Sequence, residues 1–393
     1  MREVVIVSGV RTAIGRFGGS LKEVSDMDLG ALVIREAIQR AGLTGDQVEE
    51  VVFASGYRTG ELPINSARVV AVKGGVPIET PQFTITKACG GSLRAVSLAC
   101  QIIRSGEADS ILAGGMESMS RAAYLLKNAR WGYRLGHGQL MDQLILFDPL
   151  SGNTMGETAE NVAVKYKVSR QEQDELALLS QQKAEAAIKA GKFKDEIVPV
   201  EIAQKKKAPL IFATDEHPRF GTTAEMLAQL PPAFKKEGTV TAGNSSGMND
   251  GASALMIMSL EKALALGLKP LAHIVSYASV GVEPSLMGIG PIPATQKALQ
   301  KAGLSIKDMD LIELNEAFAS QAWVCLKELG MDPAKVNVNG GAIALGHPIS
   351  ASGGCLLVKL LYEMGRRDSK YGLATMCIGG GQGIALIVGR KPE

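Results

Sequence analysis

The sequence predicts an α/β protein made of two equivalent halves around a different middle, and three observations carry that expectation. Ala37-Ile-Gln-Arg-Ala-Gly-Leu43 runs into Asp46 to Phe53 much as Ala298-Leu-Gln-Lys-Ala-Gly-Leu304 runs into Asp308 to Leu314. Each copy reads as a helix, a glycine C-cap, a short acidic turn and a buried strand. The likeness extends backward to opening strands at Val4-Val-Ile-Val-Ser8 and Ala272-His-Ile-Val-Ser-Tyr277. It extends forward to Ser110-Ile-Leu-Ala-Gly-Gly115 and Leu373-Ala-Thr-Met-Cys-Ile378, each after a helix and each running into glycines. Strands alternating with helices predict mostly parallel sheets covered on both faces, with a site at the carboxyl ends of the strands.

The middle breaks this pattern. It carries Lys205-Lys-Lys207, Pro231-Pro232 and one strong helix from Ser169 to Ala190. The expected division is an N-terminal half at 1–118 to which 248–270 return, an inserted loop domain at 119–247 and a C-terminal half at 271–393. A long insertion on a rigid scaffold covers a site or builds an interface. The three lysines read equally as a solvated excursion or as a phosphate contact.

Composition narrows the function classes. The 393 residues exceed one ordinary core. A hydrophobic share of 46% with 21% charged residues is that of a soluble globular α/β protein. A net charge of +2 gives no reason to expect nucleic acid. The start, Met-Arg-Glu-Val-Val-Ile-Val-Ser, reads as a strand and not as a signal sequence, and no apolar run approaches the roughly 20 residues of a membrane span. Cys89, Cys100, Cys325, Cys355 and Cys377 are odd in number and lack Cys-x-x-Cys spacing, so neither a disulfide framework nor a metal site is indicated. A reducing, cytoplasmic setting is expected. Four histidines, His137, His217, His273 and His347, make a short list of bases.

In Phe83-Thr-Ile-Thr-Lys-Ala-Cys-Gly-Gly-Ser-Leu93 a β-branched run stops at Cys89, and Gly90-Gly91 opens a helix with apolar spacing Leu93, Val96, Cys100, Ile103. A thiol at a helix N-terminus faces unpaired N–H groups and the positive end of the macrodipole, so its pKa is expected to fall. Alone, the segment reads as well as a buried cysteine in a tight turn. Three further segments change that: Asn315-Glu-Ala-Phe318, Gly341-Ala-Ile-Ala-Leu-Gly-His347-Pro-Ile-Ser-Ala-Ser-Gly-Gly354 and Cys377-Ile-Gly-Gly-Gly-Gln-Gly383. With Cys89 they resemble the thiolases, which make or split a carbon–carbon bond in acyl-CoA thioesters.

The resemblance spans nearly the whole chain. It implies the thiolase fold, two duplicated α/β halves stacked in five α-β-α-β-α layers, with the insert as a CoA-binding loop domain. It implies Cys89 as the nucleophile that holds an acyl group and Cys377 as the base at the α-carbon. The matching histidine, His347, helps activate the nucleophile, and with a water held by Asn315 forms the oxyanion site for the enolate. Backbone N–H groups matching Cys89 and Gly379 form the site for the acyl carbonyl. Thr241-Ala-Gly-Asn-Ser-Ser246-Gly-Met248-Asn-Asp-Gly251 resembles the segment that contacts pantetheine, and Arg219 matches a position near the adenine end. Met155 and Phe318 fall in matching substrate-side motifs, and Met287 in Leu-Met-Gly-Ile-Gly-Pro-Ile-Pro is a wall limiting acyl length. Asn315-Glu316 also reads as a strand-to-helix N-cap. The Gly379 to Gly383 run lacks dinucleotide spacing.

Two positions depart from the family pattern. Short-chain biosynthetic thiolases commonly read His-Met-Gly where this chain reads Thr154-Met-Gly, so a histidine beside the thioester is missing. The usual His-Pro-Ile-Gly is here His347-Pro-Ile-Ser350. The implied activity is acetyl transfer between two acetyl-CoA molecules, giving acetoacetyl-CoA and CoA reversibly and without a metal or redox cofactor. A broad-range degradative 3-ketoacyl-CoA thiolase is the alternative, and a thiolase-like acyl-CoA or lipid-binding protein without turnover is a remoter one. The family implies a homo-oligomer, a dimer or a tetramer built as a dimer of dimers, with no nucleic-acid or membrane partner.

Overall fold

The computed structural model describes residues 2–57 and 65–390. The outermost expected limits, at 1 and 393, lie outside the described residues. Along the spine of the main sheet run β1 (Val4–Thr12), β2 (Glu50–Ser55), β3 (Gln82–Ile85), β4 (Ser110–Ser118) and β5 (Asn249–Ser259). They are followed by β6 (Ala272–Gly281), β7 (Leu311–Leu314), β8 (Tyr371–Ile378) and β9 (Gln382–Gly389). Their order in space is β7-β8-β9-β6-β1-β5-β4-β2-β3. The helices that matter here are α1 (Asp26–Arg40), α2 (Ser66–Lys73), α3 (Gly91–Ser105) and α4 (Met155–Tyr166). Those after them are α5 (Arg170–Lys189), α6 (Pro291–Ala302), α7 (Ala319–Leu329) and α8 (Ile349–Arg367).

The expectation of mostly parallel strands is corrected. β2 runs parallel to β3 and β4, and β7 to β8. The pairs β1–β5, β4–β5, β1–β6, β6–β9 and β8–β9 are antiparallel. The reason is the connections. Parallel neighbours need a crossover of a dozen or more residues, whereas β8 and β9 are joined through Gly379-Gly380-Gly381 alone. Gly380 and Gly381 have φ of 83° and 80°, the left-handed region that glycine enters without a Cβ clash. β5 arrives from the middle segment and slots between β1 and β4 in the N-terminal half. The halves meet at a narrow seam, Val5 opposite His273 and Ile6 opposite Ala272.

Alternation along the strands builds the layers, because successive side chains leave opposite faces of a sheet. On β1, Val4 and Ile6 enter the central apolar cluster while Val5 and Val7 enter an outer one. On β9, Ile384, Leu386 and Val388 face the centre, and Ala385 and Ile387 face the opposite outer cluster. The central cluster takes α3 through Leu93, Val96, Cys100 and Ile103, and α8 through Leu356, Leu357, Leu360 and Met364. α1 and α2 cover the outer face of the N-terminal half, and α6 and α7 that of the C-terminal half. Helix, sheet, helix, sheet, helix follow in five layers. Each fully buried aliphatic side chain contributes roughly 1.5–3 kcal/mol, so three separate apolar clusters hold the stack.

The middle segment leans on both halves. Its long helix is α5, with Ser169 as N-cap in a capping box with Glu172 and Ala190 as C-cap. Ala177 packs with Ala319 and Ile343, and Val162 with Val324. On the other side the fully buried Arg11 guanidinium donates to Glu196 at 2.8 Å and to both oxygens of Asp215 at 2.7 and 2.9 Å. Removing one partner of a buried ion cluster leaves unpaired charge in a medium that cannot solvate it. Arg11→Ala is therefore expected to destabilise the fold by about 3–5 kcal/mol. A thermal or urea unfolding midpoint unchanged from wild type would contradict this.

Candidate active site

The chain leaves β3 and reaches Ala88 at φ +41°, a left-handed conformation in a residue that carries a Cβ. Such strain persists only where the surroundings over-determine it. Ala88–Gly90 form one 3-10 turn, and α3 starts at Gly91. Gly90 and Gly91 are required by close approach: a Cβ on Gly90 would lie 2.4 Å from Ile378 Cδ1, and one on Gly91 would lie 2.7 Å from Ala54 Cβ. The expected order of strand, thiol and helix is present.

Cys89 is half-buried. Burial pushes the thiol up to about 11, and the nearby Glu117 carboxyl adds to this. The N–H groups of Gly379 and of Cys89 itself pull it down, but less. The expectation of a lowered pKa is thus corrected: desolvation of the thiolate outweighs the donors that face it. Cys377, at the end of β8 and opposite Gly383, is 1% exposed. Its thiol is raised well above the ordinary value, by burial first and then by Cys89. The influence runs between the two thiols because they share one site.

Around Cys377 the structure gathers Met287, Phe318, Ala317, Ala159 and Val240, with Met155 packed against them. A Cβ on Gly379 would stand 3.4 Å from Met155 Sδ. Met155, Met287, Phe318, Cys377 and Gly379 therefore meet, although they come from four separate parts of the chain. Phe318 also meets Phe234 edge-on at 6.0 Å.

His347 is buried, and its backbone N–H donates to Asn249 Oδ1 at 2.8 Å. Its Nδ1 lies 2.6 Å from Ser352 Oγ. Burial pulls the imidazole down to about 4, so it is neutral near pH 7. Among the described residues its Nε2 has no hydrogen-bond partner, and neither do Nδ2 and Oδ1 of Asn315, itself 1% exposed. Folded proteins leave few buried polar atoms unpaired, so each of these atoms is open to a hydrogen-bonding ligand.

Glu316 fixes the corner that holds Asn315. It accepts from Ser180 Oγ at 2.6 Å, Asn337 Nδ2 at 2.7 Å and the Ile343 N–H at 3.2 Å. This ties the corner to the loop that leads to His347. The reading of Asn315-Glu316 as an N-cap is overturned, since Phe318 occupies the N-cap of α7 without a side-chain bond. Beside this corner Ser245 bridges Phe318, and the Ser246 N–H donates to the Ala317 carbonyl at 3.0 Å. Arg219 and Met248 are exposed, and neither joins the apolar group around Cys377.

Both departures from the family pattern have a structural setting. Thr154 caps α4, its hydroxyl accepting from the Glu157 N–H in a capping box, so it starts the helix that carries Met155. Ser350 is fully buried and touches backbone: its Oγ lies 3.5 Å from the Ala88 carbonyl, and its N–H donates to Glu117 Oε2 at 3.1 Å. Glu117 was missed in the sequence. It also accepts the Tyr57 N–H at 3.0 Å, and burial raises its carboxyl to about 7. The available signal was an acidic residue inside a strand buried along its whole length. Among the described residues no group of three His, Cys, Asp or Glu is placed to hold a metal ion. None of their helices is long and apolar enough to cross a membrane.

Two stacked α/β halves closing over a pair of thiols define the class, an enzyme of acyl transfer. The chain belongs to the thiolase family: residues 4–261 match the family model for the thiolase N-terminal domain and residues 268–390 that for the C-terminal domain. It is 57% identical to the acetyl-CoA acetyltransferase of Escherichia coli, over 99% of this chain and 100% of the relative. It is 54% identical to a beta-ketothiolase of Cupriavidus necator, over 99% of each. The crystal structure of human mitochondrial 3-ketoacyl-CoA thiolase in complex with CoA superposes with a TM-score of 0.96 at 45% identity, covering 100% of this chain and 98% of that one.

With the thiol raised, thiolate is the minor form of Cys89 throughout the neutral range, and its fraction grows as pH rises. Alkylation of Cys89 by iodoacetamide in the ligand-free protein should therefore increase about tenfold per pH unit from about pH 7 to about pH 9. A plateau below about pH 8 would show that the two N–H donors win over burial.

Proposed function

We propose that the protein is an acetyl-CoA C-acetyltransferase, joining two acetyl-CoA into acetoacetyl-CoA and CoA through an acyl group on Cys89. The observation that carries this is the pair of neighbouring buried thiols with the Gly379 and Cys89 N–H donors on Cys89, and the unpartnered polar atoms of His347 and Asn315 support it. The names of the relatives and their full-length coverage support it.

The protons balance as follows. His347 Nε2 takes the Cys89 proton, and the thiolate attacks the acetyl carbonyl while the Cys89 and Gly379 N–H groups hold the oxyanion. The departing CoA sulfur takes the proton of Cys377, which burial keeps protonated at rest. Acetyl-Cys89, an imidazolium and a Cys377 thiolate remain. That thiolate removes the α-proton of the second acetyl-CoA, and His347 with Asn315 holds the enolate oxygen. The enolate carbon attacks acetyl-Cys89, the carbon–carbon bond forms, and the expelled Cys89 thiolate recovers its proton from His347. No metal or redox cofactor enters.

The family supports CoA thioesters as substrates, and we assign 119–247 as the loop domain that seats them with Ser246, Met248 and Arg219. Met287, 3% exposed in the group around Cys377, favours short acyl chains. A broader 3-ketoacyl range is the second reading, favoured by the Thr154 cap where a histidine would crowd the thioester. The exposed Tyr124, Leu125, Leu126, Trp131, Leu135 and Leu140 of the middle segment favour a homo-oligomer, because monomers rarely leave so much apolar surface uncovered. A cytoplasmic setting agrees with five free cysteines.

Incubation with acetyl-CoA should place one acetyl group on Cys89, and Cys89→Ala should abolish transfer. Cys377→Ala should still become acetylated yet lose about 10²- to 10⁴-fold in exchange of acetyl-CoA methyl protons with deuterated water. Wild-type exchange in that variant would make another group the base. Thiolysis rates across 3-ketoacyl-CoAs of increasing length decide between the two readings, with a steep fall beyond four carbons expected.

A further inference from the structure

His347 has two ring nitrogens, and only one of them can face the reaction. In the proposed cycle Nε2 must carry a lone pair at rest and a proton when the enolate forms. Which nitrogen holds the proton of a neutral imidazole is set by the hydrogen bond that the other one makes. Here the other one, Nδ1, lies 2.6 Å from Ser352 Oγ, one turn into α8. The backbone N–H of His347 is taken by Asn249, so the ring has no competing tie through its own main chain.

We propose that Ser352 is a positioning residue, completing a chain Cys89–His347–Ser352 in which its hydroxyl accepts the Nδ1–H and leaves the Nε2 lone pair turned toward Cys89. This rests on the reading of Cys89 as nucleophile given above. Three observations support the direction of the bond. Nε2 is buried and unpartnered, the state of an acceptor kept free for a substrate-side proton. Ser352 lines a small cavity with Asn315, Gly346 and Cys355, so the proton of its own hydroxyl has room to point away from the ring. Ser352 is 3% exposed, and among the described residues its hydroxyl makes no other hydrogen bond.

A hydroxyl in this place has a consequence that a carboxylate would not. A carboxylate would add charge that stabilises the imidazolium and holds its proton. A neutral oxygen orients the ring without that charge, in keeping with an imidazole held down to about 4. The imidazolium formed when Cys89 is deprotonated therefore remains a strong acid, ready to support the enolate oxygen and to return its proton to Cys89 at the end of the cycle.

The test has a spectroscopic and a kinetic arm. Nitrogen-15 NMR of the ligand-free protein, with the His347 signals assigned by their loss in His347→Asn, should show the Nδ1–H tautomer. In Ser352→Ala the two tautomers should mix. Acetylation of Cys89 should slow about 10- to 100-fold, a part of what a positioned base contributes, with the KM for acetyl-CoA unchanged. Ser352→Thr, which keeps the hydroxyl and has the cavity for its methyl, should recover most of the rate. An Nε2–H tautomer in the wild-type protein overturns the proposal, as does a Ser352→Ala enzyme that keeps both tautomer and acetylation rate. If the wild-type protein takes no acetyl group at all, the functional reading fails, while the tautomer of His347 still decides the role of Ser352.

Discussion

The site depends on how closely α3 and α8 approach each other in the central layer. A Cβ on Gly353 would stand 2.6 Å from Leu93 Cβ, and one on Gly354 would stand 3.4 Å from Ser92 Cβ. α8 is buried on nearly every side, from Ile349 to Met364. A helix covered all round is core, and it can sit between two sheets only if small residues let the backbones close up. The same approach sets the two N-termini side by side. Cys89 stands just before α3 and His347 just before α8, so packing between the helices brings together the segments that carry these two residues. The Gly354 N–H donating to Ser92 Oγ at 2.8 Å, and Ser350 beside the Ala88 carbonyl, pin that end of the pair.

Burial that tight has an electrostatic cost, and the site is where it falls. Both thiols are pushed up, the imidazole is pulled down and the Glu117 carboxyl is raised, each because the neutral form is favoured away from water. Elsewhere the chain compensates. Lys359 within α8 meets Glu313 at 2.9 Å and the Gly340 carbonyl at 2.8 Å, and Arg11 meets two carboxylates. The contrast is informative: ion pairs tie the scaffold, while burial keeps Cys89, Cys377 and His347 neutral. In the proposed cycle, a neutral resting site would let protons pass among Cys89, His347 and Cys377 without first breaking a salt bridge.

The sequence was a good guide wherever local pattern decides structure. Its repeated helix, glycine and strand gave both halves, and the β-branched run before Cys89 with Gly90-Gly91 after it gave the turn. The helix read from Ser169 to Ala190 matches α5 to within a residue. It was a poor guide where distant neighbours decide. Strand direction followed from a three-glycine hairpin and from β5 returning to the N-terminal half, which alternation of strands and helices does not reveal. The Cys89 pKa followed from desolvation by elements far along the chain, against a local dipole that pointed the other way. Asn315 had the residue type of a cap, yet Phe318 takes that position while Glu316 anchors the corner from behind.

Ser352 and Glu117 show the same limit from the other side. Ser352 lies within the quoted His347 motif, where no spacing marks it, and Glu117 shows only as an acidic residue in a strand, with nothing local to say what it holds. Their partners are His347 Nδ1 for Ser352, and the N–H groups of Tyr57 and Ser350 for Glu117. Tyr57 belongs to the N-terminal half and Ser350 to the C-terminal half, so Glu117 joins the two halves directly behind the Cys89 turn. A group that reports on both halves at once has no local signature. It becomes visible only when the fold has brought its partners together, and a single side chain can then be asked what it holds in place.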